Sequence, residues 1–450
     1  MNTVDTICAV ASGVGGAIAI IRLSGRAALR IGNEIWRGSA PLERATARRM
    51  NLGKIVGVGD AALAVYMPAP NSYTGEDVVE LQCHGGALVS RRVLELAIAA
   101  GARLAAPGEF TFRAFVNGKL DLTQAEAVGD IITAGSDIAL ELAENQLSGA
   151  LSRRIAALRA DMTDILGDVE SRLDFPEEHL GWEAKELLAD RIAAAMTSVG
   201  ELAATIEAGR CYREGVSLVI AGRPNVGKSS LLNALLGRDR AIVSDIPGTT
   251  RDTLEEFATL RNIPVRLTDT AGIRQGAEPL EALGIERSKR SLRSGEIVFW
   301  LLDASAPELA EELEFLRDEL AAVSSPVIAI WNKRDLAPER ELPPTGVTTA
   351  VVSVKENLGL SELLDVFERE VWCGTAQFAR PEVAVNERQR GLLSTAIEAL
   401  AAVLPELENE DWELAAVQLR LAVNALGEIT GETAGLDILD NIFSRFCIGK

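Results

Sequence analysis

A short apolar run, Val216 to Ala221, leads into Gly222-Arg223-Pro224-Asn225-Val226-Gly227-Lys228-Ser229, and a helical pattern follows over Ser230 to Leu236. Strand, glycine-bounded loop and helix in that order leave few choices for the middle of the chain. Glycines let such a loop turn backbone N–H groups inward, where they cradle phosphate. Lys228 then reaches the terminal phosphates, and the Ser229 hydroxyl can bind Mg²⁺. The plainer alternative is a glycine-rich turn with a surface lysine, and three further motifs count against it.

The apolar segment Val265–Leu267 runs into Asp269-Thr270-Ala271-Gly272. An aspartate at a strand's carboxyl end beside the phosphate loop can hold the Mg²⁺ shell, and the glycine N–H can sense a γ-phosphate. Val327–Trp331 is followed by Asn332-Lys333-Arg334-Asp335. A carboxylate there can accept from N1 and N2 of guanine, a bidentate pair that adenine cannot offer. Ser353-Val354-Lys355 follows Ala350–Val352 and suits backbone contact with the guanine oxygen. In this order, each at the end of an expected strand, the motifs specify a guanine-nucleotide domain that takes GTP rather than ATP.

The chain of 450 residues is long enough for about three domains. Residues 1–118 mix short β-like runs (Ala17–Leu23, Asn51–Val58, Ala62–Met67, Asp77–Gln82) with one helix near Ser90–Ala100, which predicts a compact α+β domain. Residues 119–214 turn alanine- and leucine-rich with apolar residues at helical spacing, the signature of amphipathic helices in a bundle. Phe175-Pro176-Glu177-Glu178 interrupts that run. Residues 215–375 alternate strand and helix as a doubly wound nucleotide domain does, and helical periodicity returns over 376–450. Helical sequence on both sides of a complete nucleotide domain predicts insertion of that domain into the bundle.

A net charge of −20 argues against a broad non-specific grip on nucleic acid or anionic lipid. The basic clusters Arg44/Arg48/Arg49, Arg153/Arg154 and Arg287/Lys289/Arg290/Arg293 fit solvated helix faces. Five scattered cysteines without a C-x-x-C pair suit a reducing cytoplasm. Two histidines, His84 and His179, exclude a His-rich metal site. Ala17–Leu23 reads as a strand and not a signal peptide, and no apolar run approaches membrane-spanning length.

Ras-like domains place a glutamine directly after D-x-x-G to orient the attacking water, but here that position is Ile273. Gly248-Thr249-Thr250-Arg251-Asp252 stands where a switch loop belongs, and Thr250 could complete the Mg²⁺ shell. Glu278 and Glu281 follow the second switch and could position water; on spacing alone they fit a pair of surface glutamates better. Asn225 offers an amide that could hold a monovalent cation beside the phosphates.

Taken together, the phosphate loop continuing into Ser230, the Gly-Thr-Thr-Arg-Asp stretch and the ending Phe446-Cys447-Ile448-Gly449-Lys450 resemble the MnmE (TrmE) family of tRNA-modification GTPases. So do Asn71-Ser72-Tyr73-Thr74-Gly75-Glu76-Asp77, Pro107-Gly108-Glu109-Phe110-Thr111 and Lys119-Leu120-Asp121-Leu122. The resemblance covers all three domains. It implies a homodimer built through an N-terminal folate-binding domain, a helical domain, and an inserted Ras-like P-loop GTPase domain. It also implies work with the FAD-carrying partner MnmG (GidA), in a heterotetramer, to add an aminomethyl-type group at C5 of the wobble uridine (position 34) of certain tRNAs. The one-carbon unit would come from 5-formyl- or 5,10-methylene-tetrahydrofolate. Dimerisation of G domains with K⁺ would activate hydrolysis.

Carried across residue by residue, the resemblance makes Glu281 the catalytic glutamate, against the spacing argument alone. Asn225 and the carbonyls of Ser244, Ile246 and Thr249 match the K⁺ ligands; Ser229 and Thr250 match the Mg²⁺ ligands. The nucleotide contacts it implies are Asn225, Val226, Gly227, Lys228, Ser229 and Ser230, then Ser244, Asp245, Ile246, Pro247, Gly248, Thr249 and Thr250. Asp269, Thr270, Ala271 and Gly272, with Asn332, Lys333, Asp335, Ser353, Val354 and Lys355, complete them. Arg22, Glu80, Lys119 and Lys450 match folate-contacting positions, and Cys447 matches a cysteine proposed for the modification chemistry, though a buried structural thiol suits it as well. Val226, where relatives often have alanine, and Pro247, which stiffens the loop before Gly248, are small departures. The competing readings are a GTP-switched ribosome or RNA assembly factor, a class that usually carries a basic appendage, and a folate-dependent transferase merely regulated by GTP.

Overall fold

Alternation along two paired strands organises the N-terminal part. In β2 (Ile18–Ser24) Ala19, Ile21 and Leu23 are buried, and in β6 (Val78–His84) so are Val79, Leu81 and Cys83. These side chains share one sheet face, where helices Ala28–Ile35 and Ala87–Ala99 cover them with Ile31, Ile35, Val93 and Ala97. The period of two then sends Arg22 and Glu80 to the opposite face, directly across from each other in the antiparallel register. The computed structural model that shows this describes residues 5–13, 15–175, 182–238, 255–269, 296–320, 325–372, 381–444 and 446–450.

The remaining strands of this sheet are β1 (Ile7–Val10), β3 (Trp36–Gly38), β4 (Asn51–Ile55), β5 (Ala61–Met67) and β7 (Arg103–Leu104). They are ordered β3-β4-β5-β6-β2-β1-β7. All neighbours are antiparallel except β1 with β7. Helix Glu109–Val116 follows, and its Arg113 is fully buried. Its guanidinium donates to Asp5 Oδ1 at 2.6 Å, to Glu109 Oε1 at 3.0 Å and to both oxygens of Glu76 at 3.2 Å. Glu76 also accepts from Ser24 Oγ at 2.7 Å. Around this one cation the Asn71–Asp77 loop, strand β2 and the Pro107–Thr111 turn are joined.

Helical periodicity from Ala150 produces one long helix, Ala150–Asp174, which buries Leu151, Ile155, Met162, Ile165 and Val169. It stops before Pro176, which disfavours helical geometry at the residue preceding it. Helix Trp412–Thr430 packs along it. Its first turn is capped by the Asp411 carboxylate, which accepts from Leu414 N at 3.1 Å. It ends at Gly431, whose φ of 90° only glycine adopts without strain. Helices Lys185–Ala204 and Glu387–Asn409 belong to the same bundle region of sequence.

These parts, residues 1–129, 145–201 and 388–450, form one compact unit. Residues 130–144 and 202–387 form the other. Two pieces that periodicity assigns to the bundle lie in this second unit because their apolar faces are buried there: Ile138, Ala139 and Leu142, and Ala208 and Tyr212. Its sheet comprises β8 (Val216–Gly222), β9 (Glu255–Leu260), β10 (Ile263–Asp269), β11 (Ile297–Asp303), β12 (Val327–Asn332) and β13 (Thr348–Val351). The order is β13-β12-β11-β8-β10-β9, parallel except for β9 against β10. Both faces are covered: one by Leu231, Leu235, Leu363 and Phe367, the other by Leu313 and Leu316. Double burial explains why the central strands β11 and β12 read as apolar runs up to their last residue.

Asp5 is held below the usual carboxylate range chiefly by the hydrogen bond from Arg103. Burial pushes Glu109 upward, but the hydrogen bonds from Arg103, Ala106 N–H and Arg113 outweigh it and its pKa is lowered. Folded-state values below the unfolded ones add stability that is present above the ordinary carboxylate range and lost as pH falls through the depressed values. Arg113→Met should cost about 3–5 kcal/mol by breaking the buried pair with Glu109, which then keeps Arg103 as its one cationic partner among the described residues. It should also flatten the acid side of the stability profile. Urea unfolding at neutral and mildly acidic pH measures both; a wild-type acid slope in the variant would show that Arg113 does not depress these groups.

Candidate nucleotide site

The order of the second sheet changes direction at β8: the chain passes to β9 and β10 on one side and to β11, β12 and β13 on the other. Ligands of doubly wound sheets bind outside the carboxyl ends of the strands at that switch point. The loop Gly222–Gly227 leaves β8 there and enters helix Lys228–Arg238. Gly222 has a φ of 135°, and a Cβ on it would lie 2.4 Å from the carbonyl oxygen of Leu301 on β11. Gly227, at φ 106°, would put a Cβ 2.3 Å from Asn332 Nδ2. Asn225 takes a left-handed φ of 64°. The glycines of the motif are thus demanded by close backbone approach, and the loop curls as a phosphate cradle requires. Lys228 Nζ donates to the carbonyls of Gly222 at 2.9 Å and Arg223 at 2.8 Å, placing the ammonium over the loop. Ser229 and Ser230 fall in the first turn of the helix, whose N-terminus favours anions.

Asn332 ends β12 and is buried; its Nδ2 donates to Val226 O at 2.8 Å, and its Oδ1 accepts from Val354 N at 3.1 Å. One side-chain amide thereby fixes the phosphate loop to the Ser353-Val354-Lys355 turn. Asp335 lies in a single 3₁₀ turn, Arg334–Leu336, and accepts from the buried Ser353 hydroxyl at 2.6 Å. That bond orients the carboxylate. Lys355 is exposed, 3.8 Å from Glu356. Lys333 reaches across to Asp303 Oδ2 at 2.6 Å. Burial pushes the Asp303 carboxyl up, but hydrogen bonds from Lys333 and Ser305 prevail and its pKa is lowered. Arg223 is anchored on its far side, 3.4 Å from the buried Glu312 and 5.2 Å above the Phe315 ring.

The structure therefore brings together Asn225, Val226, Gly227, Lys228, Ser229, Asn332, Lys333, Asp335, Ser353 and Val354 at one sheet edge. Asp269 closes β10 at the same edge. Ser244, Asp245, Ile246, Pro247, Gly248, Thr249, Thr250, Thr270, Ala271, Gly272 and Glu281 lie outside the described residues. Asp303 was not singled out from sequence. Its signal was a polar residue ending the apolar run Ile297–Leu302, the same signal that marked Asp269.

In the first unit Arg22 Nε donates to Glu80 Oε1 at 2.7 Å, and its guanidinium lies 5.7 Å from the Tyr73 ring and 5.6 Å from that of Phe110. Tyr73 and Phe110, which the sequence offered only as parts of motifs, thus wall the pair. Phe110 N donates to Lys450 O at 3.1 Å, and a Cβ on Gly449 would meet Val10 O at 2.3 Å, so the chain's last residues are seated beside β1 and this pair. Lys119 Nζ donates to Pro70 O at 3.2 Å, at the start of the Asn71–Asp77 loop. Cys447 is exposed, which removes the buried-thiol reading. An arginine and a carboxylate, mostly buried beneath aromatic rings on this sheet face, suit a flat heterocycle with an anionic tail.

Family models match both units. The description "GTP-binding protein TrmE N-terminus" matches residues 6–119 and "MnmE helical domain" matches 122–447. Proteins named tRNA modification GTPase MnmE align along the whole length. That of Geobacter sulfurreducens is 44% identical over 460 residues, covering 100% of each chain. That of Clostridioides difficile is 41% identical with 99% of each chain covered. The chain belongs to the MnmE family of tRNA modification GTPases. Among solved structures, the G domain of the Thermotoga maritima FeoB iron transporter aligns at 26% identity with a TM-score of 0.27, covering 34% of this chain and 98% of that one. A score that low carries no argument, and the GTPase fold of this MnmE family member rests on its own strand order and loops.

Gly227→Ala should move Asn332 off Val226 and weaken GTP binding by about 1–3 kcal/mol, the cost of an orphaned buried group. Calorimetry with Mg²⁺ present reads it; native affinity would mean that the Asn332 tie does not shape the loop.

Proposed function

We propose that this chain hydrolyses GTP to drive tRNA modification, in which an aminomethyl-type group is added at C5 of the wobble uridine. The observation that carries the proposal is the Asn332-centred junction of phosphate loop and base-reading turn, in a chain related end to end to the MnmE GTPases. In this reading the loop amides and Lys228 hold the triphosphate. Ser229, with Thr250 and the shell around Asp269, holds Mg²⁺, which neutralises phosphate charge. Asp335, oriented by Ser353, accepts from guanine N1 and N2. Asn225, in the phosphate loop, is the candidate K⁺ ligand by its match to the family, with the Ser244, Ile246 and Thr249 carbonyls, and Glu281 orients the attacking water.

The one-carbon unit would come from a tetrahydrofolate held at Arg22, Glu80, Lys119 and Lys450. Glu80 supplies the acceptor for a guanine-like pterin edge, while the cations meet the anionic tail. A homodimer acting with the flavoprotein MnmG in the cytoplasm completes the reading, and no described helix is long and apolar enough to cross a membrane.

Nucleoside mass spectrometry of tRNA from cells lacking the chain should show loss of the C5-modified wobble uridine. The native gene should restore it and Lys228→Ala should not; restoration by Lys228→Ala would separate the modification from GTP. Replacing K⁺ with Na⁺ at saturating Mg²⁺ should lower GTP turnover of the purified chain. Equal rates in the two salts would remove the cation from the mechanism.

A further inference from the structure

The register places Asp303 of β11 directly opposite Asn332 of β12, so both strands end level at the carboxyl edge. Lys333, the next residue, takes a left-handed φ of 63°, a conformation that a non-glycine residue keeps only when its surroundings hold it. Its ammonium is gripped by Asp303 Oδ2 at 2.6 Å. The other carboxylate oxygen is fixed twice by Ser305, at 2.9 Å from the N–H and 2.6 Å from the hydroxyl. Asp303 N–H in turn donates to the buried Glu312 at 3.4 Å, and the other oxygen of Glu312 lies 3.4 Å from Arg223 of the phosphate loop. The lysine tip is therefore tied to a carboxylate that cannot turn away.

An untethered lysine samples many rotamers, and ordering it on binding opposes association. A tethered one presents its methylene stem as a fixed apolar strip. We propose that Asp303 is a positioning residue for guanine-nucleotide binding: by gripping Lys333 it holds the stem extended along the sheet edge as a ready-made wall for the purine that Asp335 reads. This rests on the base site assigned above. It differs from a purely structural ion pair in that the whole effect passes through one ammonium group.

GDP affinity of the full chain by calorimetry tests it, with Asp303→Asn, Lys333→Met and the double variant. Asp303→Asn should weaken GDP about tenfold, and Asp303→Glu should recover part of the loss. In the Lys333→Met background, Asp303→Asn should change affinity by less than about twofold, because the two act as one unit. Ser305→Ala, which removes one of the two bonds holding the carboxylate and leaves the ion pair, should give a smaller loss that also disappears in the Lys333→Met background, and it serves if Asp303→Asn does not fold. Equal losses in both backgrounds, or no loss in either Asp303→Asn or Ser305→Ala, overturn the proposal. A native chain that binds no guanine nucleotide overturns the base site and this proposal together, which no pattern among the variants could imitate.

Discussion

One buried amide joins the parts of the nucleotide site. Asn332 donates to the phosphate loop and accepts from the turn after β13, so segments more than a hundred residues apart in sequence share a single side chain. Neither loop has a core of its own. Each is a connection at the rim of a sheet whose packed interior fixes only the strand ends, and the amide converts that rim into a shaped surface. Gly227 fits the same logic, since any side chain there would occupy the space the amide needs.

The buried arginine plays the corresponding part in the first unit. Arg113 is enclosed by Asp5, Glu76 and Glu109, so the Asn71–Asp77 and Pro107–Thr111 motifs turn out to be held by one charge cluster. Burying a charge is costly unless it is paired and fully hydrogen-bonded. The cluster pairs it with three carboxylates, from the segment before β1, the Asn71–Asp77 loop and the first turn of its own helix. Once fixed, the loop and the helix start carry the aromatic walls beside Arg22 and Glu80.

Much of this was legible in the chain. The strands ending at Gly222, Asp269 and Asn332 were marked by largely apolar segments running into a motif residue, because burial on both sheet faces disfavours polar residues at their centres. The short elements were not. Ile7–Val10 and Glu109–Val116 lack a repeating pattern long enough to distinguish helix from strand, and Arg113 looks like a surface residue until Asp5 and Glu76 arrive from distant sequence to join Glu109 of its own helix. Bundle boundaries were obscured for a related reason. The periodicity of 130–144 and 202–214 announces an amphipathic helix but not the surface that covers it, and that surface is a sheet. Among site residues, those set by backbone geometry were visible as glycines and motif positions, whereas Asp303 acquires meaning only from the strand beside it.

The discontinuity of the first unit bears on how the protein is made. Its sheet begins at Ile7, yet Phe110 receives its carbonyl partner from Lys450. The nucleotide unit has all its residues once 387 has been synthesised, while the first must wait for the last few. During translation the inserted unit can thus mature first, and the surrounding unit closes around residues that emerge at the end. The unit whose residues are completed earlier is thus the inserted one, not the one that holds residues 1–129.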